Sequence, residues 1–271
     1  MIAVVVLLGA FGLFLVTRSF SGGIKLPHLG PECTVRADGE VALDAVQMAN
    51  AATISAVGVR RKMPEQAIVV ALATALQESK LENLDNGDRD SVGLFQQRPS
   101  QGWGSVEQIQ DPRYAAEKFY RALKKVKGWK TMRVTEAAQK VQRSAYPNAY
   151  EKWADESEVL ARALTGRATG AVECTVSEPA LRGAAAAKAL AQGFALDWGV
   201  DADRLADLTV TVKDPNTGWR YAHWLVAHAK STGLERVRFA DREWTAPDGK
   251  WQPVTGDRRA GNDAVVAEVF R

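Results

Sequence analysis

Residues 64–79 read Pro-Glu-Gln-Ala-Ile-Val-Val-Ala-Leu-Ala-Thr-Ala-Leu-Gln-Glu-Ser, and this stretch decides the fold. Proline suits the first turn of a helix, where its missing N–H would have no partner in any case. From Ala67 to Leu76 every residue except Thr74 is apolar. A helix that is apolar all round has no wet face, so it is expected at the centre of a bundle. Glu78 and Ser79 close it. A carboxyl at that end is partly desolvated and lies at the negative end of the helix dipole, and both effects disfavour its ionised form. That is the property a general acid needs near neutral pH. A solvated glutamate ending a helix is the plain alternative.

Working outward, Val41 to Arg60 has helical apolar spacing, and helical patterns return at 113–126, 134–144 and 149–164. Residues 83–104 are rich in Asn, Asp, Gly, Ser and Pro and read as a long loop. Beyond 177 the pattern changes. Leu181 to Ala195 is alanine-rich and helical, Thr209–Val212 reads as a strand, Trp219–Ser231 as a helix, and Val237–Phe239 and Val265–Phe270 as strands. The expected fold is a mainly α domain over 33–174 followed by a small α+β domain over 177–271.

The N-terminus bears on the compartment. Ile2 to Val16 is an unbroken apolar run, followed by Thr17 and Arg18. It is short against the roughly 20 residues of a spanning helix. Residues 1–18 are expected to be a membrane anchor, or a signal segment if cleaved, and 19–32 a stalk. The domains would then lie outside the cytoplasm. Cys33 and Cys174, the two cysteines of the chain, sit in matching surroundings, Glu-Cys-Thr-Val in each case. In an exported chain they are expected to form one disulfide. The net charge of +3 is too small to name a partner. Between Arg113 and Arg143, however, ten Lys/Arg stand against two Glu, a stripe suited to an anionic polymer or simply to solvated helix faces.

Fifteen residues after Glu78 comes Gly93-Leu94-Phe95-Gln96-Gln97-Arg98-Pro99. Glu78-Ser79, Ser91, Gly93-Leu94-Phe95-Gln96 and Pro99 together resemble the lytic transglycosylases and goose-type lysozymes, over roughly residues 60–155. Asp111-Pro112, Ala115, Phe119 and Tyr120 resemble the next helix of those families. Ser144-Ala145-Tyr146-Pro147-Asn148-Ala149-Tyr150 stands where they carry an A-Y-N-A-G segment, with Pro147 as a departure. The resemblance implies a lysozyme-like fold for 33–174 and cleavage of peptidoglycan glycan strands between muramic acid and glucosamine residues, with Glu78 as general acid/base. Ser91, Gln96 and Tyr146 would contact substrate. Trp103, between Gly102 and Gly104, offers a flat face for a sugar or a lid on the core, and Phe95 packs under a sugar or in the core. A transglycosylase needs one carboxylate; a hydrolase often uses a second, for which Asp85, Asp88 and Asp90 are candidates. Loop aspartates also serve as turn formers.

His223 and His228 lie five apart, missing the i, i+4 spacing of a zinc helix, and no H-E-x-x-H occurs. Gly218 to Trp244 resembles a C-terminal domain of actinobacterial wall hydrolases related in shape to zinc D-alanyl-D-alanine peptidases. Trp224 to Ala229, Gly233 and Arg242-Glu243-Trp244 carry that likeness, but Asn262 to Val269 lacks the histidines of the last strand. An accessory wall-binding role follows, and Trp198, Trp219, Trp224, Trp244 and Trp251 are either ligand faces or core. The expected partners are glycan strands and, through the N-terminal segment, the membrane. No cofactor, metal or nucleic acid is called for. The alternative is a non-catalytic wall-binding or envelope scaffold protein that keeps the fold.

Overall fold

The structure is a computed structural model that describes residues 32–271, apart from 145, 147, 206 and 257–259. The anchor expected over 1–18, and the stalk as far as residue 31, lie outside the described residues. Among the described residues no helix is long and apolar enough to cross a membrane.

Pro31–Arg271 forms one compact unit. It opens with a hairpin, β1 (Cys33–Arg36) and β2 (Glu40–Leu43), followed by α1 (Ala45–Arg60) and α2 (Glu65–Ser79). After a loop come α3 (Val106–Ile109), α4 (Pro112–Lys125), α5 (Val134–Gln142), α6 (Ala154–Leu164) and β3 (Val172–Cys174). The C-terminal part runs α7 (Gly183–Trp198), β4 (Thr209–Thr211), α8 (Pro215–Ala227), α9 (Ala229–Thr232), β5 (Leu234–Ala240), β6 (Arg242–Thr245), β7 (Trp251–Pro253) and β8 (Gly261–Val269). The strands form two antiparallel sheets, in the orders β2-β1-β3 and β4-β8-β5-β6-β7.

Helix α2 is central. Ala67 to Leu76 are all buried, and α1, α4, α5 and α6 pack around them. Ile68, Val70 and Leu72 are fully enclosed. Burying each such side chain contributes roughly 1.5–3 kcal/mol relative to leaving it exposed. The helix ends on two successive left-handed residues, Lys80 (φ 58°) and Leu81 (φ 62°). Two side chains of α1 hold that turn: Gln47 donates to Lys80 O at 3.0 Å and Asn50 to Leu81 O at 2.7 Å.

The expectation of a mainly α domain followed by a small α+β domain is corrected: the fold is α+β from end to end. A three-stranded sheet is built into the helical part, and a five-stranded sheet makes up much of the rest. Val41–Leu43, expected at the start of a helix, is strand β2. Asp44 forces the change by capping α1, accepting from Gln47 N at 2.8 Å while the Gln47 side chain accepts from Asp44 N at 2.9 Å. Strands β1 and β3 are four and three residues long, too short for alternation to register. Their pairing places Cys33 opposite Cys174, and a disulfide joins them across 141 residues of chain. Moreover, α1 packs against α4 and also against α7 and α8, so the N-terminal and C-terminal helices bury one another.

One face of the larger sheet is covered by α8. Gly218 lies so close to Phe239 that a Cβ would stand 1.9 Å from its Cζ. Trp198, Trp219, Trp224, Trp244 and Trp251 are all buried, which makes them core. On the strands' other side Arg236 and Arg238 alternate with the buried Val237 and Phe239 and pair with Glu243 and Glu268.

Candidate functional site

Glu78 stands half-buried in the last turn of α2. Its Oε1 accepts two hydrogen bonds, from Tyr150 Oη at 2.7 Å and from Gln142 Nε2 at 3.1 Å. The second proton of the Gln142 amide goes to Phe95 O at 2.8 Å. Among the described residues Oε2 accepts nothing. The carboxyl is thus held through one oxygen and open at the other. Burial, and then the charge of Glu78 and the hydrogen bond to it, hold the Tyr150 phenol above its ordinary pKa. Tyr150 therefore stays protonated and remains a donor.

Three elements converge here. Helix α2 supplies Glu78, the end of α5 supplies Gln142, and the turn before α6 supplies Tyr150. The loop segment at 93–96 is tied to α2 by Ser79, whose hydroxyl lies 2.8 Å from Leu94 O and 3.1 Å from Ala75 O. Phe95 is fully buried and stacks on Phe119 with centroids 4.8 Å apart, so it is core and only its carbonyl reaches the site.

The other residues singled out in the sequence fall in several places. Ser91 is buried, with its hydroxyl 2.8 Å from Asp88 O and 2.9 Å from Gln96 Oε1. Gln96 returns its amide to Gly93 O at 3.2 Å, so both ends of that side chain brace the loop. Gly87 makes room for this brace: a Cβ there would stand 1.6 Å from Gln96 Oε1. Trp103 is partly buried against the core, and its carbonyl accepts from Tyr114 Oη at 3.2 Å. Tyr146 is 75% exposed, and the phenol on Glu78 belongs to Tyr150, four residues later.

None of the loop aspartates bonds to Glu78. Asp90 is bound by Arg98 Nε at 2.7 Å and Ser100 N at 2.8 Å. The Ser100 hydroxyl and amide, then Arg98, hold it well below the usual carboxylate range. Asp85 and Asp88 are exposed.

Gln142, Tyr150 and Trp153 are site residues that sequence reasoning missed. Trp153 Nε1 donates to Gln77 Oε1 at 2.9 Å, and Lys80 Nζ lies 3.8 Å above the indole. The two tyrosines of the 144–150 segment were the available signal, but nothing local says which turns inward.

Among the described residues no group of three or more His, Cys, Asp and Glu converges as metal ligands would. His223 is fully enclosed. Its Nε2 accepts from Ala171 N at 2.9 Å, so Nδ1 carries the proton and donates to Ala163 O at 2.8 Å. His228 stacks on Trp224 and lies beside the buried Asp197. No protein-family model matches this chain, and no curated protein matches it.

Proposed function

We propose that the chain cleaves the glycan strands of peptidoglycan as a lytic transglycosylase, with Glu78 as its only catalytic carboxylate. The observation that carries this reading is the state of Glu78: half-buried, tethered through Oε1 by Tyr150 and Gln142, with Oε2 open. The motif resemblance around it supplies the substrate class. Protonated at Oε2, Glu78 gives its proton to the oxygen bridging muramic acid and glucosamine as the bond to the anomeric carbon breaks. The carboxylate so formed takes the proton of the sugar's own 6-hydroxyl, whose oxygen attacks the anomeric carbon. An anhydro ring closes and Glu78 regains its proton, so no water is consumed. Exposed Asp85 and Asp88, and Asp90 committed to Arg98 and Ser100, favour this single-carboxylate route over one with a second catalytic acid. The N-terminal segment would hold the protein at the membrane, facing the wall.

Mass spectrometry of fragments released from purified peptidoglycan, by the protein and by its Glu78→Gln variant, tests the reading. Anhydro-muramoyl ends from the native protein alone are expected. Reducing ends would make the protein a hydrolase instead. Absence of any product from folded protein would leave a non-catalytic wall-binding or envelope scaffold role.

A further inference from the structure

The turn that carries Tyr150 also carries Lys152 and Trp153, and it lies against the end of α2. Tyr150 reaches Glu78 while Trp153 bonds to Gln77, the preceding residue. On the same indole sit two ammonium groups: Lys80 Nζ 3.8 Å and Lys152 Nζ 5.3 Å from the ring centroid. Both lysines are exposed, and among the described residues neither forms an ion pair. Burial and the charge of Lys152 depress the Lys80 pKa, and Glu156 opposes them only through its field. Like charges gathered around one aromatic ring, with no bonded counter-ion, favour an incoming anion.

The backbone points the same way. A helix commonly ends on glycine in the left-handed conformation. Here Lys80 occupies it, in a conformation that a residue with a Cβ disfavours. The bond from Gln47 to its carbonyl holds it there. A glycine at residue 80 would relieve the strain and remove the ammonium from Trp153.

We infer that Lys80, Lys152 and Trp153 form an anion-binding shelf beside Glu78, which takes a carboxylate of the peptide substituents on the glycan strand. This rests on the reading of Glu78 as a glycan-cleaving residue. The sugars at the cleaved bond are largely neutral, whereas the peptide attached to muramic acid carries free carboxylates. Trp153 gathers the two ammonium groups around its ring, next to the residue that precedes Glu78.

The test uses the full chain carrying Glu78→Gln, which binds without turnover. It is titrated with two phosphate-free fragments, a disaccharide bearing its tetrapeptide and the same disaccharide without peptide. The peptide-bearing fragment is expected to bind about ten-fold more tightly. Adding Lys80→Gln and Lys152→Gln should erase the difference between the fragments, with an unchanged melting temperature showing that the fold is kept. Equal affinity for the two fragments, or a difference that survives loss of both lysines, overturns the shelf and leaves the glycan reading standing. Binding of neither fragment, together with no cleavage of intact strands by the native protein, overturns both.

Discussion

At Glu78 two neutral donors share one carboxylate oxygen, so the orientation of the carboxyl is set by Tyr150 and Gln142 together. A hydrogen bond to a charged group is worth about 1.5–3 kcal/mol. If the bond from Tyr150 acts fully in the transition state, Tyr150→Phe should lower turnover roughly ten- to hundred-fold. Product release from peptidoglycan by the folded variant measures this, and an unchanged rate would remove Tyr150 from the site. Glu78-Ser79 and Gly93 to Gln96 were legible because each is a local motif and the two lie close in sequence. Tyr150 was not. Tyr146 and Tyr150 fit the same segment, and the choice depends on how the chain turns from α5 into α6. Gln142 escaped for a different reason: it ends an amphipathic helix as an ordinary polar residue, and only packing brings it to Phe95 O and Glu78.

Helices were readable wherever they are long. The apolar run of α2 announced a central helix, and the structure wraps four others around it. Short strands left a weaker trace: β4 was readable in Thr209–Val212, but β1, β3, β6 and β7, of three or four residues each, were not. The pairing of β3 with β1 spans 141 residues, so no window of sequence contains it. The boundary of α1 is a middle case: Asp44 and Gln47 have the spacing of a capping box, yet the apolar pattern runs on through Val41. The approach of α1 to α4 turns on one glycine. A Cβ on Gly58 would stand 2.7 Å from Tyr120 Oη and 2.9 Å from Ile68 Cγ1. Tyr120 is pinned there by donating to Ile54 O at 3.0 Å, and its burial pushes the phenol pKa up. Gly58→Ala should therefore destabilise the protein by about 1–3 kcal/mol through overpacking, despite alanine's better helix propensity. Denaturant unfolding would show it as a lower midpoint, whereas a gain in stability would mean that α1 and α4 separate freely.

At the scale of the molecule, the N-terminal and C-terminal parts are joined by buried polar groups as well as by apolar packing. Asp197 on α7 is fully enclosed, accepting from Thr53 Oγ1 at 2.8 Å and from Trp224 Nε1 at 2.7 Å. Arg113 Nε lies 2.6 Å from its other oxygen, as a charge contact off the hydrogen-bond line. The disulfide is a second tie. Replacing Cys33 and Cys174 by serine should cost about 2–5 kcal/mol, read from urea unfolding under non-reducing conditions; an unchanged midpoint would mean that the unfolded chain gains no freedom from losing the link.

Acid should loosen the molecule in a defined window. Burial depresses the pKa of His223 from 6.5 to about 4, against a smaller opposing effect from its bond to Ala163 O. Burial also lowers that of His228, against the opposing charge of Asp197. Between these values the unfolded chain binds protons that the folded chain refuses, so stability rises with pH across the window. The contribution is fully present above about pH 6.5 and is lost as pH falls towards 4, amounting to about 3 kcal/mol for His223. In His223→Gln, the side-chain carbonyl can still accept from Ala171 N and its amide can donate to Ala163 O, with no group left to titrate. Melting temperatures measured from pH 7 to pH 4.5 should fall steeply for the native protein and less steeply for the variant, the remaining slope belonging to His228. Parallel curves would mean that His223 takes up its proton in the folded protein, which its enclosure between Ala171 N and Ala163 O argues against.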